Sequence, residues 1–254
     1  MVKIHLDTDI GGDSDDVCAI ALLLRLPEVE LTGVTTCTEA GGQRAGLTRH
    51  TLDVAGRSGI PVAAGAEGSI GGYDYPPGIT DVQRHWLTQV EPAPSRPGEA
   101  LDLLLASVEA GAAIVAIGPY TNLALLEAAR PGTLAHTEVY LMGGFVDALP
   151  PGMPPLDYKM DYNVQQDAAA ARIVLAACDP VVVQVSVTLK TTLREAHLPR
   201  LRAGDRLAQL VAHQGEDHGR ENNQQAMGRA HAALPDGLLN FQHDPLTCAL
   251  PIAC

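Results

Sequence analysis

Short apolar runs alternate with longer amphipathic stretches along most of this chain. Residues 2–6 are β-prone, and 16–26 read as an apolar helix that stops at Pro27. A buried strand follows over 31–36, a helix over 43–57 and a short strand over 60–63. Residues 99–110 place Leu101, Leu104, Leu105 and Val108 on one helical face. The alternation continues with a strand over 112–117, a helix over 121–129 ended by Pro131-Gly132, and a strand over 139–142. An alanine-rich helix over 167–177 and a valine-rich strand over 181–187 follow. Apolar strands separated by amphipathic helices predict an α/β fold. The expected architecture is an open, mostly parallel, doubly wound sheet with helices on both faces. Glycine- and proline-rich loops over 65–97 and 145–158 interrupt the pattern, and loops this long inside a domain are commonly functional. The polar segment 204–233 predicts one or two helices outside the sheet. No repeat or linker divides residues 1–254, so one domain is expected.

Composition narrows the function. The chain has 254 residues, of which 46% are hydrophobic, so it is long enough for a sizeable core. Its 17 basic and 30 acidic residues give a net charge of −13, which argues against nucleic acid and anionic membranes as partners. No apolar run reaches the roughly 20 residues of a membrane span, and no secretory leader is visible. Five scattered cysteines without a C-x-x-C pair fit reduced thiols in a cytoplasmic protein. With one tryptophan, six tyrosines and two phenylalanines, a site built on aromatic stacking has few residues to use.

The charge has a focus. Asp7, Asp9, Asp13, Asp15 and Asp16 crowd ten residues between the first strand and the first helix. The carboxyl ends of strands are where open α/β sheets bind ligands. Carboxylates packed this closely repel unless a cation neutralises them, and hard divalent ions such as Ca²⁺ take carboxylate oxygens. Helix capping accounts for Asp15 and Asp16 but not for the other three. An EF-hand loop starting at Asp7 fails, because its twelfth position is Cys18. Asp7-Thr8-Asp9 also fits loosely a phosphatase that forms an aspartyl-phosphate on Asp7 or Asp9.

The segment Asp7-Thr-Asp-Ile-Gly-Gly-Asp-Ser-Asp-Asp16 resembles the N-terminal signature of the inosine–uridine-preferring nucleoside hydrolases. Gly118-Pro-Tyr-Thr-Asn-Leu-Ala124, Leu141-Met-Gly-Gly144, Asp161-Tyr-Asn163 with Asp167, and His243-Asp-Pro245 resemble further motifs of that family in the same order. The resemblance implies Ca²⁺-dependent hydrolysis of the N-glycosidic bond of ribonucleosides to base and ribose. By that resemblance Asp9 would touch the metal and serve as general base to the attacking water. Asp16, Asp244 and the carbonyl of Thr121 would complete the metal shell. Asp15, Asn163 (as a donor) and Asp161 would hold the ribose hydroxyls, and His243 would protonate or orient the leaving base. Asp7 would support the site from behind. A homodimer or homotetramer is implied as well. Trp86, Tyr73, Tyr75 and Tyr158 are candidates to stack on the base. A non-catalytic ribose-binding homologue is the competing reading.

Some positions depart from the family pattern. Asp161 stands where the family usually carries glutamate, and Gly42 where it has asparagine. No His-Gly-x-x-Gly element is recognisable between Gly65 and Arg84, and Pro154-Pro155 stands where a 5′-hydroxyl contact is expected. The chain ends ten residues after Asp244, so its C-terminal end reads as shortened.

Overall fold

The computed structural model describes residues 1–71 and 82–253. The first half runs β1 (Val2–Thr8), α1 (Asp15–Arg25), β2 (Val29–Thr36), α2 (Gln43–Val54), β3 (Val62–Ala64), α3 (Glu99–Glu109), β4 (Ala113–Ala116) and α4 (Thr121–Ala129). Next come β5 (Val139–Met142), α5 (Tyr162–Gln166), α6 (Ala168–Ala177), β6 (Val181–Val183) and α7 (Val185–Thr188). The last part holds β7 (Thr192–Arg194), α8 (Leu198–Arg202), α9 (Arg206–Glu221), α10 (Gln224–Ala230), β8 (Leu238–Phe241) and α11 (His243–Ala253).

Six strands form a parallel sheet in the order β3-β2-β1-β4-β5-β6. Alternate residues of each strand serve opposite faces. In β4, Val115 joins the core beneath α1 and α2, whereas Ile114 and Ala116 join the core beneath α3, α4 and α6. In β5, Tyr140 and Met142 divide from Val139 and Leu141 in the same way. Helices therefore cover both faces, as the alternating pattern predicts. The chain leaves β1 toward β2 on one side and returns to β4 on the other, so a crevice opens at the carboxyl end of β1. The acidic turn occupies that crevice.

Two local readings change. Residues 181–187 do not form one strand, because β6 stops at Val183 and Val185–Thr188 turn into α7. Gln184 marks the break: its Oε1 accepts the amides of Val146 and Asp147, which ties the chain to the neighbouring loop. As the sheet's edge, β6 leaves Val181 and Val182 exposed. The second change is an antiparallel pair, β7 with β8, joined by no local turn signal. The polar segment does form two helices, α9 and α10, beside this pair. No described helix is long and apolar enough to cross a membrane.

Beneath the crevice, β1 carries a buried polar chain. The Nε2 of His5 pairs with Thr35 Oγ1 at 3.0 Å, and Thr35 donates to Asp7 at 2.5 Å. His5 Nδ1 meets Ser107 Oγ at 2.8 Å. Thr35 spends its proton on Asp7, so His5 donates through Nε2 and accepts at Nδ1. The neutral ring satisfies both contacts, and burial pushes its pKa down to about 3. Between pH 6.5 and about 3 the unfolded chain therefore binds more protons at this residue than the native one does. Stability conferred by the neutral ring is present above pH 6.5 and is lost as pH falls. The expected slope is about 1.4 kcal/mol per pH unit. Asp7, raised to about 7 by burial, acts with the opposite sign over much of that window. The stability difference between wild type and His5→Gln, from urea unfolding at pH 4 to 8, should isolate the His5 part. A pH-independent difference would refute it.

Candidate metal and nucleoside site

The turn after β1 is built around glycine. Gly11 adopts φ +114°, and a Cβ there would lie 2.7 Å from the carbonyl oxygen of Val82, so any side chain is excluded. Gly118 allows a second close approach: a Cβ on it would lie 2.8 Å from Asp9 Oδ1. Arg44 of α2 clamps the turn. It is buried, and its guanidinium donates to the carbonyls of Asp9, Ile10 at 2.9 Å and Gly11 at 3.3 Å, and through Nε to Thr38 at 2.9 Å. Sequence reasoning missed this residue. The available signal was one charged side chain on the otherwise uncharged inner face of α2, with Ala45, Leu47, Thr48 and Leu52.

A cavity of about 410 Å³ opens over this turn. Asp9, Asp13, Asp15, Asp16, Asp161 and Asp244 line it, together with Arg44, Asn163 and His243. Asp15 and Asp16 open α1, and side chains at a helix start lean toward its N-terminus. The dipole there favours their charge. Asp244, in the first turn of α11, joins them from 228 positions along the chain from Asp16. One carboxylate oxygen from each of Asp15, Asp16 and Asp244 lies within 4.8 Å of the others, and all three residues are buried. Asp15 Oδ2 also accepts the Asp244 amide at 3.4 Å, and Asp16 accepts from Thr8 Oγ1. Desolvation, and after it repulsion from neighbouring carboxylates that include Asp9 and Asp13, raises all three carboxyls well above the usual range. Burial among like charges thus favours the protonated forms, whereas a divalent cation would favour the charged ones. The donor set is therefore suited to a hard cation.

Asp15 thus stands beside Asp16 and Asp244 and lines the cavity with them. Asp9 lines the same cavity. Desolvation raises its carboxyl, and the Arg44 charge opposes that rise. Thr121 is not brought to the cavity. It opens α4, its hydroxyl donates to Asp167 at 2.8 Å, and it borders a separate, smaller cavity. A residue at a helix start turns its carbonyl along the helix to its own amide ladder. Ile117, just past β4, lines the main cavity in its place.

Asn163 differs from the expected donor. Its Nδ2 donates to the carbonyls of Ile117 at 2.9 Å and Met142 at 3.0 Å. Both amide hydrogens are spent, so it offers a ligand only the acceptor Oδ1. Asp161 is held by the main chain: it accepts the Gly144 amide at 2.6 Å and the Val164 amide at 3.4 Å, and burial raises its carboxyl. Its shorter arm caps α5 while still lining the cavity. His243 opens α11 with Nδ1 2.6 Å from Thr188 Oγ1, and desolvation lowers its pKa to about 4.

The two described aromatic candidates do not line this cavity. Trp86 packs edge-on against His50 at 5.6 Å, and Tyr158 is exposed. Tyr73 and Tyr75 lie outside the described residues. Leu156, Met160, Met227 and Phe241 line the cavity on its apolar side, and Gln224 lines it with its Oε1 buried and without a hydrogen-bond partner among the described residues. Asp7 is fully buried below the cavity, with Oδ1 taken by Thr35 and by Asn122 at 2.8 Å. It is no accessible nucleophile, so the phosphatase alternative loses one of its two candidate residues.

Residues 4–253 match the family profile described as inosine-uridine preferring nucleoside hydrolase. An uncharacterized protein of Schizosaccharomyces pombe is 32% identical over 197 residues, covering 71% of this chain and 60% of that protein. The pyrimidine-specific ribonucleoside hydrolase RihA of Salmonella paratyphi A is 30% identical over 225 residues, covering 83% of this chain and 69% of the relative. The chain thus spans about two thirds of the length of these relatives. Among solved structures, a plant nucleoside hydrolase superposes with a TM-score of 0.80 at 23% identity, covering 99% of this chain and 78% of that one. A purine-preferring ribonucleoside hydrolase from Gardnerella vaginalis gives 0.78 at 22% identity, covering 98% of this chain and 79% of that one. At those identities the two structures establish the shared fold.

Proposed function

The chain belongs to the inosine–uridine preferring nucleoside hydrolase family, and on that premise we propose that it hydrolyses ribonucleosides to free base and ribose with the help of Ca²⁺. The observation that carries this reading is the buried trio Asp15, Asp16 and Asp244 at the carboxyl end of β1. These three would hold the cation, with Asp9 beside them and Ile117 as the nearby main-chain neighbour. An all-oxygen set without histidine or thiolate suits Ca²⁺ better than a softer metal. When bound, the cation supplies charge neutralisation and Lewis acidity toward water and sugar hydroxyls.

The protein's own groups divide the remaining work. Asp9 takes the proton of the attacking water, the role its half-buried, Arg44-balanced carboxylate fits. Cleavage develops positive charge on the sugar, and a cavity lined by six aspartates suits that charge. Asn163 accepts from a ribose hydroxyl through Oδ1. His243 is neutral at pH 7. Its Nδ1 is paired with the Thr188 hydroxyl, which leaves Nε2 as the ring nitrogen free to meet and orient the departing base. The base itself meets leucine, methionine and Phe241, with the Gln224 carboxamide as polar handle.

A panel of purine and pyrimidine ribonucleosides, read by release of reducing sugar, tests the proposal. Ribose release should vanish when a chelator strips the protein and return with added Ca²⁺. If no nucleoside yields ribose in Ca²⁺-replete protein, hydrolysis is ruled out. Nucleoside binding without release would then favour the non-catalytic reading.

A further inference from the structure

A second group of metal-ligating side chains lies away from the cavity. Asp217 and Glu221 are four residues apart on α9 and so share one helical face. His85 reaches them from the segment that follows the undescribed residues. One ligand atom from each of the three lies within 4.8 Å of the others. His85 is 2% exposed, its Nδ1 is 3.1 Å from Asp217 Oδ2, and its buried Nε2 has no hydrogen-bond partner among the described residues. Nδ1 is thus the nitrogen that faces Asp217, and with its hydrogen on Nε2 the neutral ring would offer Nδ1 as a metal donor. Two arginines flank the group, but each meets its carboxylate through a single oxygen: Arg220 at Asp217 Oδ1, and Arg84 at Glu221 Oε2 at 3.5 Å. Asp217 Oδ2 faces His85, and Glu221 Oε1 is not engaged by Arg84.

We propose that His85, Asp217 and Glu221 form a second divalent-metal site, selective for a transition ion such as Zn²⁺, that fastens the 82–86 segment to α9. One imidazole with two carboxylates is a borderline donor set, favouring zinc-like ions over the hard cation suited to the all-carboxylate cavity. The fastening has a structural consequence. In the same segment, the Val82 carbonyl backs directly onto Gly11 at the cavity, and Trp86 leans on His50 of α2. A metal here would hold the wall behind the acidic turn between α2 and α9. The site does not depend on the nucleoside reading.

Co²⁺ is the probe, added to Ca²⁺-saturated protein and followed by calorimetry and by its visible absorption band. One Co²⁺ is expected to bind without being displaced by excess Ca²⁺, and Zn²⁺ should remove the band. Glu221→Gln, at a partly exposed position, should weaken Co²⁺ binding about tenfold or more, since even outer-shell changes cost that much. His85→Gln should abolish the band, and Asp244→Asn should leave it in place. If Ca²⁺ displaces the Co²⁺, or if Glu221→Gln and His85→Gln bind it like wild type, the second site does not exist. No Co²⁺ uptake at all would overturn it equally, and would mean that the two arginines already satisfy these carboxylates.

Discussion

Asp9→Asn is expected to lower kcat for ribonucleoside cleavage by about 10²- to 10⁴-fold, the range that a positioned general base contributes. Asparagine keeps the size and shape of the side chain but cannot accept the water's proton. The position is rigidly set. Arg44 holds the Asp9 carbonyl, and the carboxylate rests where Gly118 has no Cβ. The backbone should therefore survive the change, and circular dichroism should match wild type. Asp9 also lies near the cation trio, so a Ca²⁺ titration of the variant separates the two roles. Retained Ca²⁺ binding with lost turnover identifies the base. Loss of both identifies a ligand. A variant that keeps more than a tenth of wild-type kcat would remove Asp9 from the mechanism.

Arg44→Met is expected to destabilise the protein by about 3 kcal/mol and to reduce activity with it. Methionine fills much of the same space but donates nothing. The carbonyls of Asp9, Ile10, Gly11 and Thr38 would lose donors together at a buried turn. The positive charge that opposes protonation of Asp9 and Asp16 would disappear as well. Urea unfolding at fixed Ca²⁺ checks the stability, with a lower midpoint and an unchanged slope expected. Arg44→Lys should recover only part of the loss, because one ammonium cannot spread across carbonyls fanned along a turn. An unchanged midpoint for Arg44→Met would show that the turn holds itself.

These two residues differ in how visible they are in the chain. Asp9 belongs to a dense run of aspartates after a short strand, and that density alone called for a cation. Arg44 is an ordinary arginine in a helix, and only its burial among main-chain carbonyls reveals its task. The same contrast runs through the site. Asp244 was marked by its motif, yet its place beside Asp15 and Asp16 depends on α11 docking next to α1. Thr121 sits inside a recognisable motif but opens a helix, and Ile117 takes its place at the cavity. Asn163 lines the cavity, but its motif does not reveal that its Nδ2 donates to two main-chain carbonyls.

The order of strands and helices, the two-faced sheet and the acidic turn at its centre were legible in the residues themselves. They rest on periodicity, on turn-forming glycine and proline, and on local charge density, all of which act over a few neighbours in sequence. The β7–β8 pair, the meeting of Asp15, Asp16 and Asp244, the Arg44 clamp and the direction of each amide were decided only by the folded chain. Those features join residues tens to hundreds of positions apart. Their energies come from burial and from hydrogen-bond partners that exist only once the sheet has brought them together.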